Sequence, residues 1–112
     1  HGMQNMIEGD ISKDQKVVVI EDLISTGGSS LKAVAALREH GCSVLGMVAI
    51  FTYGFQIAEN NFKESKCDLV TLSDYNSMLT AAVKANYVTE SALESLSEWR
   101  ISPEKWNAAP QN

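Results

Sequence analysis

The chain has 112 residues, 45% of them apolar and 21% charged, with a formal net charge of −5. That length fits one domain around one core, and the negative charge disfavours general electrostatic binding to nucleic acid or an anionic membrane surface. No run is long enough for a membrane span and no signal peptide opens the chain, so a cytoplasmic protein is expected.

Residues 1–15 show little apolar periodicity and end in the polar run SKDQ, which reads as an exposed connector. Lys16 to Ile20 then forms a short, continuous apolar run, the pattern of a parallel strand buried on both faces. A helix is predicted from about Ser29 to His40, with Leu31, Val34, Ala35 and Leu37 as its buried stripe and Gly41 as its stop. Ser43 to Phe51 returns as a second buried strand, which completes a βαβ unit. Ile57 to Ser65 reads as a short helix and Asp68 to Leu72 as a third strand. Ser73 is placed to cap a helix whose apolar face is Tyr75, Met78, Leu79, Ala82 and Val83, with Asn86 as its stop. Thr89 can cap a last helix carrying Leu93, Leu96 and Trp99 on one face, and Pro103 ends that pattern or starts a brief final turn.

The expected class is therefore α/β, with a parallel-sheet βαβ core. Three strands make a thin sheet for such a fold, so the chain reads as the second half of a larger α/β domain. Cys42 and Cys67 lie in apolar contexts without a CxxC spacing, which favours free buried thiols. The only histidines are His1 and His40, so a structural zinc site is not expected. His40, at a helix C-terminus, reads as a dipole partner.

The chemistry concentrates in Val17 to Ser30, VVVIEDLISTGGSS. Four β-branched residues lead into two acids, then into a small-residue turn that feeds a helix N-terminus. Such a terminus presents unpaired N–H groups and a favourable dipole to an anion. The pair Gly27-Gly28 lets amides approach closely, because no Cβ intervenes. Ser25, Thr26, Ser29 and Ser30 add hydroxyls around the same point. Carboxylates touching a phosphate would repel it, so Glu21 and Asp22 suit the hydroxyls of a sugar. Phosphate at the turn and a diol at the acids together describe a ribose 5-phosphate. Neither a Walker lysine pattern nor a GxGxxG fingerprint is present.

The stretch IEDLISTGGSS resembles the phosphoribosyl-diphosphate signature of the type I phosphoribosyltransferases. Further stretches are similar to their orotate branch: His1-Gly2, IEG at Ile7 to Gly9, VAIFTY at Val48 to Tyr53, LSDY at Leu72 to Tyr75 and EWR at Glu98 to Arg100. The resemblance covers nearly the whole chain. It implies the C-terminal part of a Rossmann-like phosphoribosyltransferase fold, with residues 1–15 as the end of a catalytic loop and connector and 16–112 as core and terminal helices.

The resemblance also implies roles. Glu21 and Asp22 hold the ribose hydroxyls, and Ser25, Thr26, Gly27, Gly28 and Ser29 cradle the 5′-phosphate, with Leu23 and Ile24 in the same phosphoribosyl-diphosphate site. Ser25 also meets the orotate. His1 matches the histidine closing the mobile catalytic loop, which contacts the diphosphate of a neighbouring subunit in a homodimer. Mg²⁺ rides on the diphosphate and ribose oxygens, and no protein residue is expected to ligate it. The parent reaction implied is transfer of ribose 5-phosphate from phosphoribosyl diphosphate to orotate, giving orotidine 5′-phosphate and diphosphate on the route to UMP. The hood over the base and the loop's cationic residues have no counterpart in this sequence, so the chain alone is expected to be inactive. Tyr53 falls where some relatives carry an arginine near the base, and base recognition is not assigned to it. The alternative is a regulatory protein of the same fold that binds phosphoribosyl diphosphate without turnover. A receiver-like module would want an aspartate at the second strand end, where Thr52 stands instead.

Overall fold

The computed structural model describes residues 7–106. Three parallel strands, β1 (Lys16–Ile24), β2 (Ser43–Thr52) and β3 (Leu69–Asp74), lie in the order β1-β2-β3. Helix α1 (Gly28–Glu39) joins β1 to β2 and α2 (Gln56–Glu64) joins β2 to β3. Helices α3 (Tyr75–Lys84) and α4 (Glu90–Ile101) follow, ending in a 3₁₀ turn at Pro103–Lys105. The α/β class and the parallel βαβ core are as the sequence pattern predicts.

The core lies between one face of the sheet and the two crossover helices. Ile24, Met47 and Ala49 of the strands meet Val34 of α1 and Ala58 and Phe62 of α2, with Cys67 beneath them. Full burial of an aliphatic or aromatic side chain contributes about 1.5–3 kcal/mol, so this cluster carries most of the packing energy. Cys42 and Cys67 are buried free thiols, as expected. Burial, opposed by nearby Arg38 and reinforced by Asp68, holds the Cys67 thiol above its ordinary range, which keeps it unreactive.

The structure departs from the sequence expectations in four places. The apolar runs predict strands buried on both faces, yet only one face is covered: Ile20 and Leu72 on the other are 71% and 76% exposed. Strand β1 does not stop at Ile20 but runs through the acids to Ile24, because Leu23 and Ile24 still pair with Phe51 and Thr52 of β2. In α1 the fully buried residues are Ser30, Val34 and Ala36, whereas Ala35 faces solvent. That helix begins at Gly28, one residue before the expected start, and Leu31 and Leu37 of the expected stripe are partly buried. The cap of α3 is Asp74, not Ser73, since β3 extends through Ser73.

Helix ends are closed by backbone geometry. After α1, Gly41 at φ 95° sends its N–H to Arg38 O and the next N–H, of Cys42, to Leu37 O. The same double hydrogen bond follows α2 at Lys66 (φ 52°) and α3 at Asn86 (φ 62°). Gly41 and Asn86 are therefore stops, as the sequence predicts. Lys66 fills a left-handed position with a side chain that disfavours it, and the Arg38 guanidinium steadies this turn by donating to Ser65 O and Lys66 O.

Beyond the sheet, Thr89 caps α4 by accepting the Ala92 N–H at 3.3 Å, as predicted. Trp99 of α4 packs against Tyr53, Phe55 and Tyr75, with ring centroids 5.4–5.6 Å away. Arg100 donates to Gly54 O at 2.8 Å, and Trp106 donates to Ser95 O at 2.9 Å. Those contacts fix α4 at the C-terminal end of the sheet, next to the turn that leaves β1. His40 bonds through its ring Nε2 with Ile11 O at 3.2 Å, a structural contact between the connector and the end of α1.

Candidate functional site

The turn from β1 into α1 is held from below. Gly27 sits at φ 83°, the left-handed region that favours glycine. A Cβ there would lie 2.6 Å from Cε2 of Phe62, so α2 presses directly on the turn. From the same helix, Asn61 donates its side-chain amide to Thr26 O at 3.0 Å. A backbone bond from Tyr53 N–H to Ile24 O, 3.2 Å, ties the end of β1 to the loop after β2. Three separate contacts thus define one short loop.

Within that loop the donors stay available. Gly27 is the N-cap of α1 and, lacking a side chain, makes no cap hydrogen bond; no acid lies in the first turn. Thr26 Oγ1 accepts the Gly28 N–H at 3.3 Å. The next two amides, of Ser29 and Ser30, have no intrahelical acceptor by helix geometry. A Cβ on Gly28 would meet only Thr26 Oγ1, at 3.5 Å, an ordinary contact. The two glycines therefore differ: Gly27 is required by the fold, and Gly28 leaves open space above the amides. Ser25, Thr26 and Ser29 are exposed, whereas Ser30 is buried.

Glu21 and Asp22 are consecutive strand residues, so the pleat sends their side chains to opposite sides of β1. Glu21, half-buried, pairs with Ala49 on the helix-covered side. Asp22 is exposed, and its Oδ1 accepts the N–H of Leu23 at 2.7 Å. Leu23 is partly exposed, and the side chain of Ile24 is wholly in the core, so any contact Ile24 makes with a ligand is through its backbone. His1 lies outside the described residues.

A cleft of about 690 Å³ opens beside the loop, bounded by Ser25 and Thr26 on one side and by Tyr53, Phe55, Trp99 and Pro103 on the other. The rings of Tyr53 and Phe55 are stacked, 5.3 Å apart and 9° from parallel. Tyr75 stands behind them; burial and the neighbouring Tyr53 raise its phenol above the ordinary range, and its hydroxyl donates to Leu96 O at 3.1 Å. Sequence reading names the loop but misses Asn61, Phe62, Phe55 and Trp99, which position it or face it. Asn61 and Phe62 lie on a different βαβ unit, and no local pattern links them to residue 27.

No group of three or more His, Cys, Asp or Glu residues that could hold a metal ion occurs among the described residues. No helix of the described residues is long and apolar enough to cross a membrane.

Residues 3–85 match the family model described as "Phosphoribosyl transferase domain". The chain is 61% identical over 106 residues to an orotate phosphoribosyltransferase of Cytophaga hutchinsonii, covering 95% of this chain and 51% of that protein. It spans about half the length of the curated relatives it matches. Among solved structures, the UMP synthase of Leishmania donovani shares the fold with a TM-score of 0.72 at 24% identity, over 83% of this chain and 21% of that one. An orotate phosphoribosyltransferase of Mycobacterium tuberculosis, in complex with 5-phospho-α-D-ribosyl 1-diphosphate, aligns with a TM-score of 0.53 at 26% identity, over 60% of this chain and 41% of that one.

Proposed function

Because the chain belongs to the phosphoribosyl transferase family, we propose that it is the phosphate- and sugar-binding half of an orotate phosphoribosyltransferase. The whole protein transfers ribose 5-phosphate from phosphoribosyl diphosphate to orotate and releases diphosphate. The observation that carries this reading is the turn at Ser25–Ser29, where an uncapped helix N-terminus, a left-handed Gly27 and an open Gly28 offer amide donors to a phosphate.

In this reading the Ser29 and Ser30 amides and the hydroxyls of Ser25, Thr26 and Ser29 bind the 5′-phosphate. Asp22 and Glu21, near the C-terminal end of β1, are assigned to the ribose hydroxyls. Because positive charge develops at C1 of the sugar as diphosphate leaves, the two carboxylates also support the cationic ring. Ser25 borders the cleft, and orotate is assigned to that cleft beside its aromatic wall. Positioning and exclusion of water are then the chain's main contributions. A Mg²⁺ carried in with the diphosphate would neutralise charge on the leaving group, and no residue of this chain is assigned to hold it. His1 reaches the diphosphate of a partner subunit in a cytoplasmic homodimer.

The test is a titration of the ¹⁵N-labelled chain with phosphoribosyl diphosphate. Amide signals of Ser25 to Ser30 should shift in a saturable way, and Gly28→Val should remove the response. Binding with unchanged affinity in Gly28→Val, or shifts confined to residues far from the loop, would overturn the assignment.

A further inference from the structure

The cleft assigned to the base is poorly suited, by itself, to a charged one. Its lining carries hydroxyls, aromatic rings and one acid, Glu104, and no cation. Orotate is a carboxylate, and the chain it approaches has a net charge of −5. An aromatic wall receives a flat ring, but the face of each ring is itself negative. Stacking therefore does not select a charged pyrimidine over a neutral one.

A cation stands beside the cleft. A second hollow of about 300 Å³ adjoins it, lined by Gly54, Gln56, Glu59, Arg100 and Ile101. Gln56 and Ile101 line both hollows, and in α4 Arg100 directly follows Trp99 of the cleft wall. Among the described residues, Arg100 is the only cation bordering either hollow. Its guanidinium is held in place, because Nη1 donates to Gly54 O at 2.8 Å in a half-buried setting. Gly54 is fixed in turn: its N–H donates to Thr52 Oγ1 at 3.0 Å, and its φ of 70° is in the left-handed region.

An arginine presents five N–H groups in a planar fork that matches a carboxylate. Gly54 O is the one acceptor Arg100 has among the described residues, so donors remain. Asp74, whose oxygens are engaged by Ser77, feels the Arg100 charge as the smallest of its influences. Glu59, the acid on the same hollow, is exposed, and its repulsion is weakened by water.

We propose that Arg100 is the specificity-determining residue of the base site. Its guanidinium takes the carboxylate of orotate in the smaller hollow, while the pyrimidine ring lies against Tyr53, Phe55 and Trp99. This rests on the reading that the cleft receives orotate. It adds that the choice between charged and neutral pyrimidines is made by α4, not by the phosphate loop.

The test is a titration of the ¹⁵N-labelled chain with orotate and, separately, with uracil, which lacks the carboxylate. The Trp99 indole N–H signal reports entry to the cleft, and the Arg100 Nε–H signal reports the carboxylate. Orotate should move both signals, and uracil the first alone. Arg100→Gln keeps a side-chain amide able to donate to Gly54 O. It should weaken orotate binding about ten- to hundredfold and leave uracil binding unchanged. Arg100→Lys, which keeps the charge without the fork, should fall between. Equal weakening of orotate and uracil in Arg100→Gln would reduce Arg100 to a support for the wall and overturn the inference. So would an Arg100 signal that answers both ligands alike. If neither ligand moves the Trp99 signal, the assignment of the cleft falls, and the role of Arg100 with it. The titration of Ser25 to Ser30 with phosphoribosyl diphosphate tests the loop separately, so the two failures are distinguishable.

Discussion

At the scale of single residues, two adjacent glycines do different work. Gly27→Ala would place a methyl group in the left-handed region and against the Phe62 ring, at a cost of about 2–4 kcal/mol. Gly28→Ala meets no such obstacle and should leave the urea midpoint nearly unchanged while weakening phosphate binding. Paired denaturation and titration of the two variants check this; equal loss of stability in both would contradict the division. The doubled glycine, the acids and the hydroxyls are all legible in the sequence, because each is a local chemical signal. What is not legible is which glycine the fold needs, since that depends on Phe62, brought to the turn only by tertiary packing. The separation of Glu21 from Asp22 across the strand was hidden for a related reason. It depends on β1 continuing to Ile24, and that follows from pairing with Phe51 and Thr52.

At the scale of elements, the helices end by one backbone device used three times, and one use is imperfect. Lys66 adopts φ 52° where glycine would be unstrained. Lys66→Gly should raise stability by about 0.5–1 kcal/mol, the left-handed cost being partly offset by the freer unfolded chain. The check is a higher urea midpoint with an unchanged slope. The start of α3 carries a pH dependence. Asp74 accepts the Ser77 N–H at 2.9 Å and the Ser77 hydroxyl at 3.0 Å, and the backbone bond above all holds its carboxyl below the ordinary range. A carboxylate with a lowered folded value contributes stability above its unfolded value, and the contribution fades as pH falls through the folded one. Stability should therefore decline below about pH 4, and Asp74→Asn should flatten that decline in urea midpoints measured against pH. Element types and order follow from periodicity and capping residues. The boundaries at Ile24 and Asp74 moved because strand pairing extended them past residues that look like loop and cap.

At the scale of the whole molecule, the chain pairs a closed core with an open face. The sequence pattern anticipates this incompleteness, since three strands are few for a parallel sheet, but it reads the strands as covered on both sides. Periodicity reports which residues seek burial and is silent on whether a partner is present. By itself the chain should form no measurable orotidine 5′-phosphate from phosphoribosyl diphosphate and orotate, as followed by orotate absorbance. Turnover by the chain alone would show that loop, acids and cleft suffice without the rest of the relatives' length.

The packing of α4 has a practical corollary. Trp99 forms one wall of the cleft and sits within 5.6 Å of the Tyr53 and Phe55 rings, while Trp106, just past the 3₁₀ turn, is tied to Ser95 of α4. The molecule thus holds an intrinsic fluorophore at the edge of its own crevice and a second one, hydrogen-bonded, as an internal reference. Filling of the cleft is written into the emission of the unlabelled protein.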